Sequence, residues 1–102
     1  MDFERAKSII LEKIKNELRP ELLYHNIDHT IDVFNSVCKI GQMEGLDEDR
    51  LLILKTAAIY HDSGMLIRYT GHEEASTLIT SKYLPEAGYD QATIDKINNM
   101  IL

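Results

Sequence analysis

Apolar residues recur along most of this chain at intervals of three and four, the spacing of a helix face, and no stretch alternates with the period of two that marks a strand. Phe3, Ala6, Ile10, Ile14 and Leu18 form a first stripe, with Glu12, Lys13, Lys15 and Glu17 opposite and Pro20 as a terminator, which predicts a helix over 3–18. His29, Val33, Val37 and Ile40, with Phe34 and Cys38 beside them, predict a second helix over 27–43, closed by Gly41 and Gly45. Asp47 reads as the N-cap of a third, whose run from Leu51 to Tyr60 is apolar on nearly every side and is expected to be the most buried. Ser63-Gly64 breaks it. Thr70-x-x-Glu73 has the form of a capping box opening a fourth helix that runs to about Leu84, and Pro85 and Gly88 stop that helix. Asp90 caps a fifth, with Ile94, Ile97, Ile101 and Leu102 on one stripe. The expectation is a single all-α domain over 1–102, a bundle of about five helices.

Length and composition narrow the function classes. A chain of 102 residues with 44% hydrophobic content supports one small core. A net charge of −6 and the lack of any Lys/Arg cluster argue against duplex nucleic acid as a partner, since phosphates need a basic stripe. Cys38 is the single cysteine, so no intrachain disulfide exists. The N-terminus mixes Asp2, Glu4, Arg5 and Lys7 among apolar residues, unlike a signal peptide, and no span of eighteen apolar residues offers a membrane crossing. A cytoplasmic location is the expectation.

The chemistry gathers around histidines. His61-Asp62 closes the most apolar helix, and an imidazole and a carboxylate left unpaired there would cost about several kcal/mol in desolvation. An isolated inward-facing histidine such as His29 is ordinarily a hydrogen-bonded core residue. Beside His61-Asp62 it becomes a ligand candidate, and a divalent cation would satisfy all three. His25 precedes His29 by four residues, one helical turn, and is expected to lean over the same site from its rim.

The segment Tyr24-His25-Asn26-Ile27-Asp28-His29-Thr30-Ile31-Asp32-Val33 resembles the His-Asn-x-x-His-x-x-Asp-Val signature of cyclic nucleotide phosphodiesterases. Ala57-Ala58-Ile59-Tyr60-His61-Asp62 resembles the helix end shared across the HD superfamily of metal-dependent phosphohydrolases, and His72-Glu73 with Ser76 completes a layout similar to the small bacterial HD hydrolases. The resemblance covers about residues 20–102. It implies that His29, His61 and Asp62 bind a first divalent metal ion, that Asp62 bridges to a second, that His72 ligates the second, and that His25 is the general acid for the leaving oxygen. The implied activity is hydrolysis of a small phosphate ester, a nucleotide in the nearest reading, by metal-activated water, with a non-catalytic metal- or nucleotide-binding sensor or interaction module as the alternative. The chemistry is coherent, because a divalent ion lowers the pKa of bound water and a histidine titrates near the working pH.

Other residues carry weaker signals. Lys55, seven residues before Asp62, and Arg68, in the loop between the doublet and His72, are candidate phosphate contacts. Asp32, Glu73 and Glu74 are candidates to orient ligating imidazoles. The family's last Asp ligand lies well downstream of the doublet. Here Asp90 reads as a cap and Asp95 as a solvated flank, so the downstream part of the family fold is expected to be missing. With it missing, an apolar patch beside helices 3 and 5, self-association, and weak activity of this chain alone are expected.

Overall fold

The structure, a computed structural model, describes residues 1–17, 20–66 and 71–102, and within these the side chains other than those of residues 20–27. Among the described residues it is all-α, with five helices and no strand: α1 (Phe3–Glu17), α2 (Pro20–Glu44), α3 (Glu48–Tyr60), α4 (His72–Tyr83) and α5 (Gln91–Ile101). Short 3-10 turns, Ser63–Leu66 and Leu84–Ala87, follow α3 and α4.

The stripes read from the sequence become the core. Phe3, Ala6, Ile10 and Ile14 of α1, and Ile94, Ile97 and Ile101 of α5, are all buried, and they meet Ala57, Ile59 and Tyr60 of α3 in one cluster. α3 packs against α1, α2, α4 and α5, which makes it the central helix. Its apolar surface is nonetheless unequally enclosed, since Thr56 to Tyr60 are buried while Leu51 to Lys55 are half-buried. An open groove of about 520 Å³ runs beside that first half, where Leu46, Ile53 and Leu54 face Met100 of α5. Polar groups inside the core are paired across elements. Tyr60 Oη donates to the Ala6 carbonyl at 2.7 Å, and Thr56 Oγ1 stands 2.7 Å from Tyr89 Oη while donating to the Leu52 carbonyl.

Three local expectations are corrected. α2 opens at Pro20 itself, seven residues before the predicted 27. A proline lacks only an N–H that a first helical residue would leave unbonded anyway, so the same residue that reads as a stop also serves as a start. The fourth helix is capped by Gly71, at φ 72°, with no side-chain cap, in place of the capping box from Thr70, which lies outside the described residues. Glycine takes that left-handed backbone without the Cβ penalty, and it turns the chain directly into His72. Ile40, assigned to the buried stripe of α2, is 55% exposed, because α2 packs along a narrower strip of Val33, Phe34, Val37 and Cys38. Asp47 and Asp90 cap α3 and α5 as expected, accepting from the backbone N–H groups of Arg50 and Thr93.

Candidate metal centre

The register of α2 against α3 brings the histidines together. Gly41 of α2 lies against Leu51 near the start of α3 while His29 meets His61 at its end, so the two helices run antiparallel. His29 is twelve residues back along α2, about 18 Å, and His61 is ten residues on from Leu51, about 15 Å, so both arrive at the same end of the bundle. The 3-10 turn after α3 and the glycine-capped start of α4 then return the chain over that end, which delivers His72.

Three imidazoles converge on one carboxylate. His61 Nε2 and His29 Nε2 stand 3.0 and 3.3 Å from Asp62 Oδ2, and His72 Nε2 stands 3.0 Å from Asp62 Oδ1. The His29 and His61 rings meet edge to face, their Nε2 atoms 3.2 Å apart. Asp62 is the most enclosed member, with its side chain 13% exposed, and His61 and His72 are about a quarter exposed. His29 was expected to point inward, and its side chain is 58% exposed. The reason is that it faces the end of α3 rather than its flank, so it forms the open wall of the site.

The helix end also fixes the chemistry of the His61 ring. Ala58 is among the last residues of α3, whose carbonyls have no onward helical partner. His61 Nδ1 lies 2.6 Å from that carbonyl and must donate to it. A neutral His61 therefore presents a bare lone pair at Nε2, toward Asp62 Oδ2 and His29 Nε2. The lone pair of His61 Nε2 and the Asp62 carboxylate call for a partner, which is a ring N–H of His29, a proton on His61 itself, or a cation. With the proton, burial pushes the His61 pKa down, but the hydrogen bond and charge of Asp62 and the Ala58 carbonyl outweigh it and leave it raised. For Asp62, burial pushes upward and is outweighed by the hydrogen bond to His61 and the charges of His61, His72 and His29, so its carboxyl titrates below the usual range. With a cation instead, His29, His61 and Asp62 offer three ligand atoms within 4.8 Å of one another. Two imidazole nitrogens and a carboxylate oxygen are a donor set that zinc and other divalent first-row ions accept. The residues fit a metal.

The other candidates are distributed as follows. His25 falls within α2, with its side chain outside the described residues, and Arg68 lies outside them entirely. Lys55 is half-buried on α3 two turns before Asp62, and no hydrogen bond or ion pair among the described residues joins it to the cluster. Glu73 Oε1 is 3.5 Å from His72 Nε2, at the outer limit of an orienting contact, whereas Asp32 is exposed on α2. Asp90 caps α5, and Asp95 is exposed and accepts from Gln91 Nε2.

Two residues that the sequence reading named without giving them a role in the site, Gly64 and Ser76, build it. Gly64 lies so close to α4 that a Cβ there would be 1.9 Å from the His72 carbonyl oxygen and 2.4 Å from Ser76 N. Ser76, fully buried, accepts from Gly64 N–H at 2.7 Å, and its hydroxyl proton is shared between the carbonyls of His72, at 2.8 Å, and His61, at 2.9 Å. The available signal was a pair of small-residue doublets, Ser63-Gly64 and Ala75-Ser76, just past the His-Asp doublet and one turn into α4. Comparison with protein-family models, curated proteins and solved structures gave no match.

Proposed function

We propose that this chain is a divalent-metal-dependent phosphohydrolase of the HD type, acting on a small phosphate ester such as a nucleotide. The observation that carries the reading is the convergence of His29, His61 and His72 on the two oxygens of Asp62. Those contacts join residues 32, 33 and 10 positions apart in sequence, and they match the order of residues on which the resemblance to the HD superfamily rests.

In this reading His29, His61 and Asp62 would hold one ion, and His72 with Asp62 would contribute to a second. The bound ions supply water activation and charge to offset the oxygens at phosphorus. The protein does the rest. The Ala58 carbonyl locks the His61 tautomer so that Nε2 is the ligating atom, the kind of outer support on which metal sites depend. His25, one turn ahead of His29 on α2, donates the proton to the leaving oxygen. The exposed side of His29 is the mouth through which substrate enters, and a net charge of −6 is no obstacle to an anionic substrate, since bound cations set the local field.

The test is metal loading followed by turnover. Mn²⁺ titrated into the metal-free protein should bind with micromolar or tighter affinity, and nucleoside monophosphates and cyclic nucleotides should then be hydrolysed at a rate that His25→Ala lowers without changing metal content. Binding without turnover on any phosphate ester would favour the sensor alternative. Absence of binding by wild type, with the fold intact by circular dichroism, would leave a protonated His61–Asp62 pair as the whole content of the cluster and overturn the proposal.

A further inference from the structure

We propose that Ser76 is a positioning residue: with Gly64 it clamps α4 to the segment after α3, so that His72 is held opposite Asp62 Oδ1 and the carboxylate serves two ion positions instead of one. The inference rests on the metal reading above. It concerns which part of the chain makes the second position.

The two halves of the cluster are held by different means. His61 and Asp62 continue directly from α3, and His29 stands on α2, which packs along α3, so the relative placement of these three follows from one helix pair. His72 arrives from α4 after a loop, and its distance to Asp62 depends on how deeply α4 seats on the 3-10 turn Ser63–Leu66. Ser76 sets that depth through one oxygen. It takes the Gly64 N–H, and its single proton serves the carbonyls of His61 and His72, one residue from each half of the cluster. Gly64 makes the seating possible, since any side chain there would meet the α4 backbone itself. The serine is 0% exposed, so its hydroxyl is met by protein groups rather than by solvent.

Removing the hydroxyl leaves the Gly64 N–H buried without its acceptor, a cost that favours the turn and α4 moving apart. Such a shift acts on His72 and leaves the α2–α3 pair in place. A displacement of about an ångström is large on the scale of a metal–ligand bond, and loss of an outer supporting group typically lowers metal affinity about 10- to 100-fold.

The experiment is Mn²⁺ binding to the full chain, followed by isothermal titration and by electron paramagnetic resonance, for wild type, Ser76→Ala, Ser76→Cys and Ser76→Thr. Wild type should take two ions with the broadened spectrum of a spin-coupled pair. Ser76→Ala should keep the first ion within about threefold of the wild-type affinity and lose the second by about 10- to 100-fold, leaving the sharp six-line spectrum of an isolated ion. Ser76→Cys, close in size but a weak hydrogen-bonding partner, should behave like Ala, which keeps the test usable if either variant folds poorly. Ser76→Thr, which restores the hydroxyl, should recover the coupled pair. A general packing defect would weaken both ions together and would not be rescued by a hydroxyl. Two ions of unchanged affinity in both Ser76→Ala and Ser76→Cys would overturn this inference and leave the metal reading standing. A single ion in wild type would also overturn it, and no ion at all would overturn both.

Discussion

α2 and the corner formed by α3, the following 3-10 turn and α4 each bring histidine to the same carboxylate, yet they do so with opposite packing. α2 is 25 residues long and largely exposed on its outer face, with Ile31, Ile40 and Met43 open to solvent, and it delivers His29 as the most exposed member of the cluster. The corner is more tightly packed, with Thr56 to Tyr60, Ser63, Gly64, Ala75 and Ser76 buried, and it delivers Asp62 nearly enclosed. Two glycines condense the difference. A Cβ at Gly41 of α2 would meet Leu51 Cδ1 at 2.5 Å, the tip of a side chain that can rotate away, whereas a Cβ at Gly64 would run into backbone. The metal site proposed above would draw on both kinds of support: a rigid corner that fixes the shared carboxylate, and a looser wall that would let substrate approach.

The largest expected effect breaks the corner. Gly64→Ala should destabilise the protein by about 3 kcal/mol or more, at or beyond the usual range for overpacking, because the atoms in the way are main chain. Thermal unfolding followed by circular dichroism measures it. A loss below about 1 kcal/mol would mean that α4 seats less tightly than described.

Next come the proposed ligands. Asp62→Asn should lower Mn²⁺ affinity at least about 100-fold, about 2.7 kcal/mol, since it removes the charge shared by all three imidazoles. His29→Ala should cost less, about tenfold, and should leave the melting temperature within a few degrees because its side chain is mostly in water. Equal losses from the two variants would remove the asymmetry between wall and corner.

The pH dependence sharpens the same contrast. In the metal-free protein, Asp62 titrates below its ordinary 3.8, so its contribution to stability is present above that value and fades as pH falls through the lowered one. His61 titrates above its ordinary 6.5, so its contribution is full below that value and fades as pH rises through the raised one. The pair therefore stabilises the metal-free corner most between about 4 and 6.5. Metal reverses the upper limb, because an ion must displace the His61 proton, and the stabilisation given by Mn²⁺ should grow with pH up to the raised His61 value, at about tenfold in affinity per unit. Melting curves with and without Mn²⁺ across that range should diverge on the alkaline side, and parallel curves would show that His61 Nε2 is not a ligand.

The smallest effect belongs to α2. Gly41→Ala should change stability by less than about 1 kcal/mol in either direction, because gained helix propensity offsets the displaced Leu51 tip. A loss as large as that of Gly64→Ala would show that α2 is held as rigidly as the corner.

Some of this was legible without coordinates. The stripes Phe3-Ala6-Ile10-Ile14 and Ile94-Ile97-Ile101 are buried as their period required, and the caps at Asp47 and Asp90 sit where a short acidic side chain precedes a helical run. Periodicity and capping are local properties, written in residues a few positions apart. So is the grouping of His61 with Asp62 at the end of an apolar helix. The placement of His29 at the rim was not legible, because α2 shares the same period whether a residue faces the flank of α3 or passes beyond its end. The role of Pro20 was not either, since one residue type can both end and begin a helix.

What the sequence determined by itself is thus the helical class, the core stripes and the kinds of ligand atom on offer, all of which follow from spacing and side-chain chemistry. Their meeting came from packing alone: the antiparallel register that brings His29 to His61, the left-handed Gly71 that starts α4 at His72, and the contact of Gly64 with Ser76 that joins the turn after α3 to α4. These depend on how closely two backbones approach, and that distance is fixed by packing from every side at once rather than by any local pattern of residues.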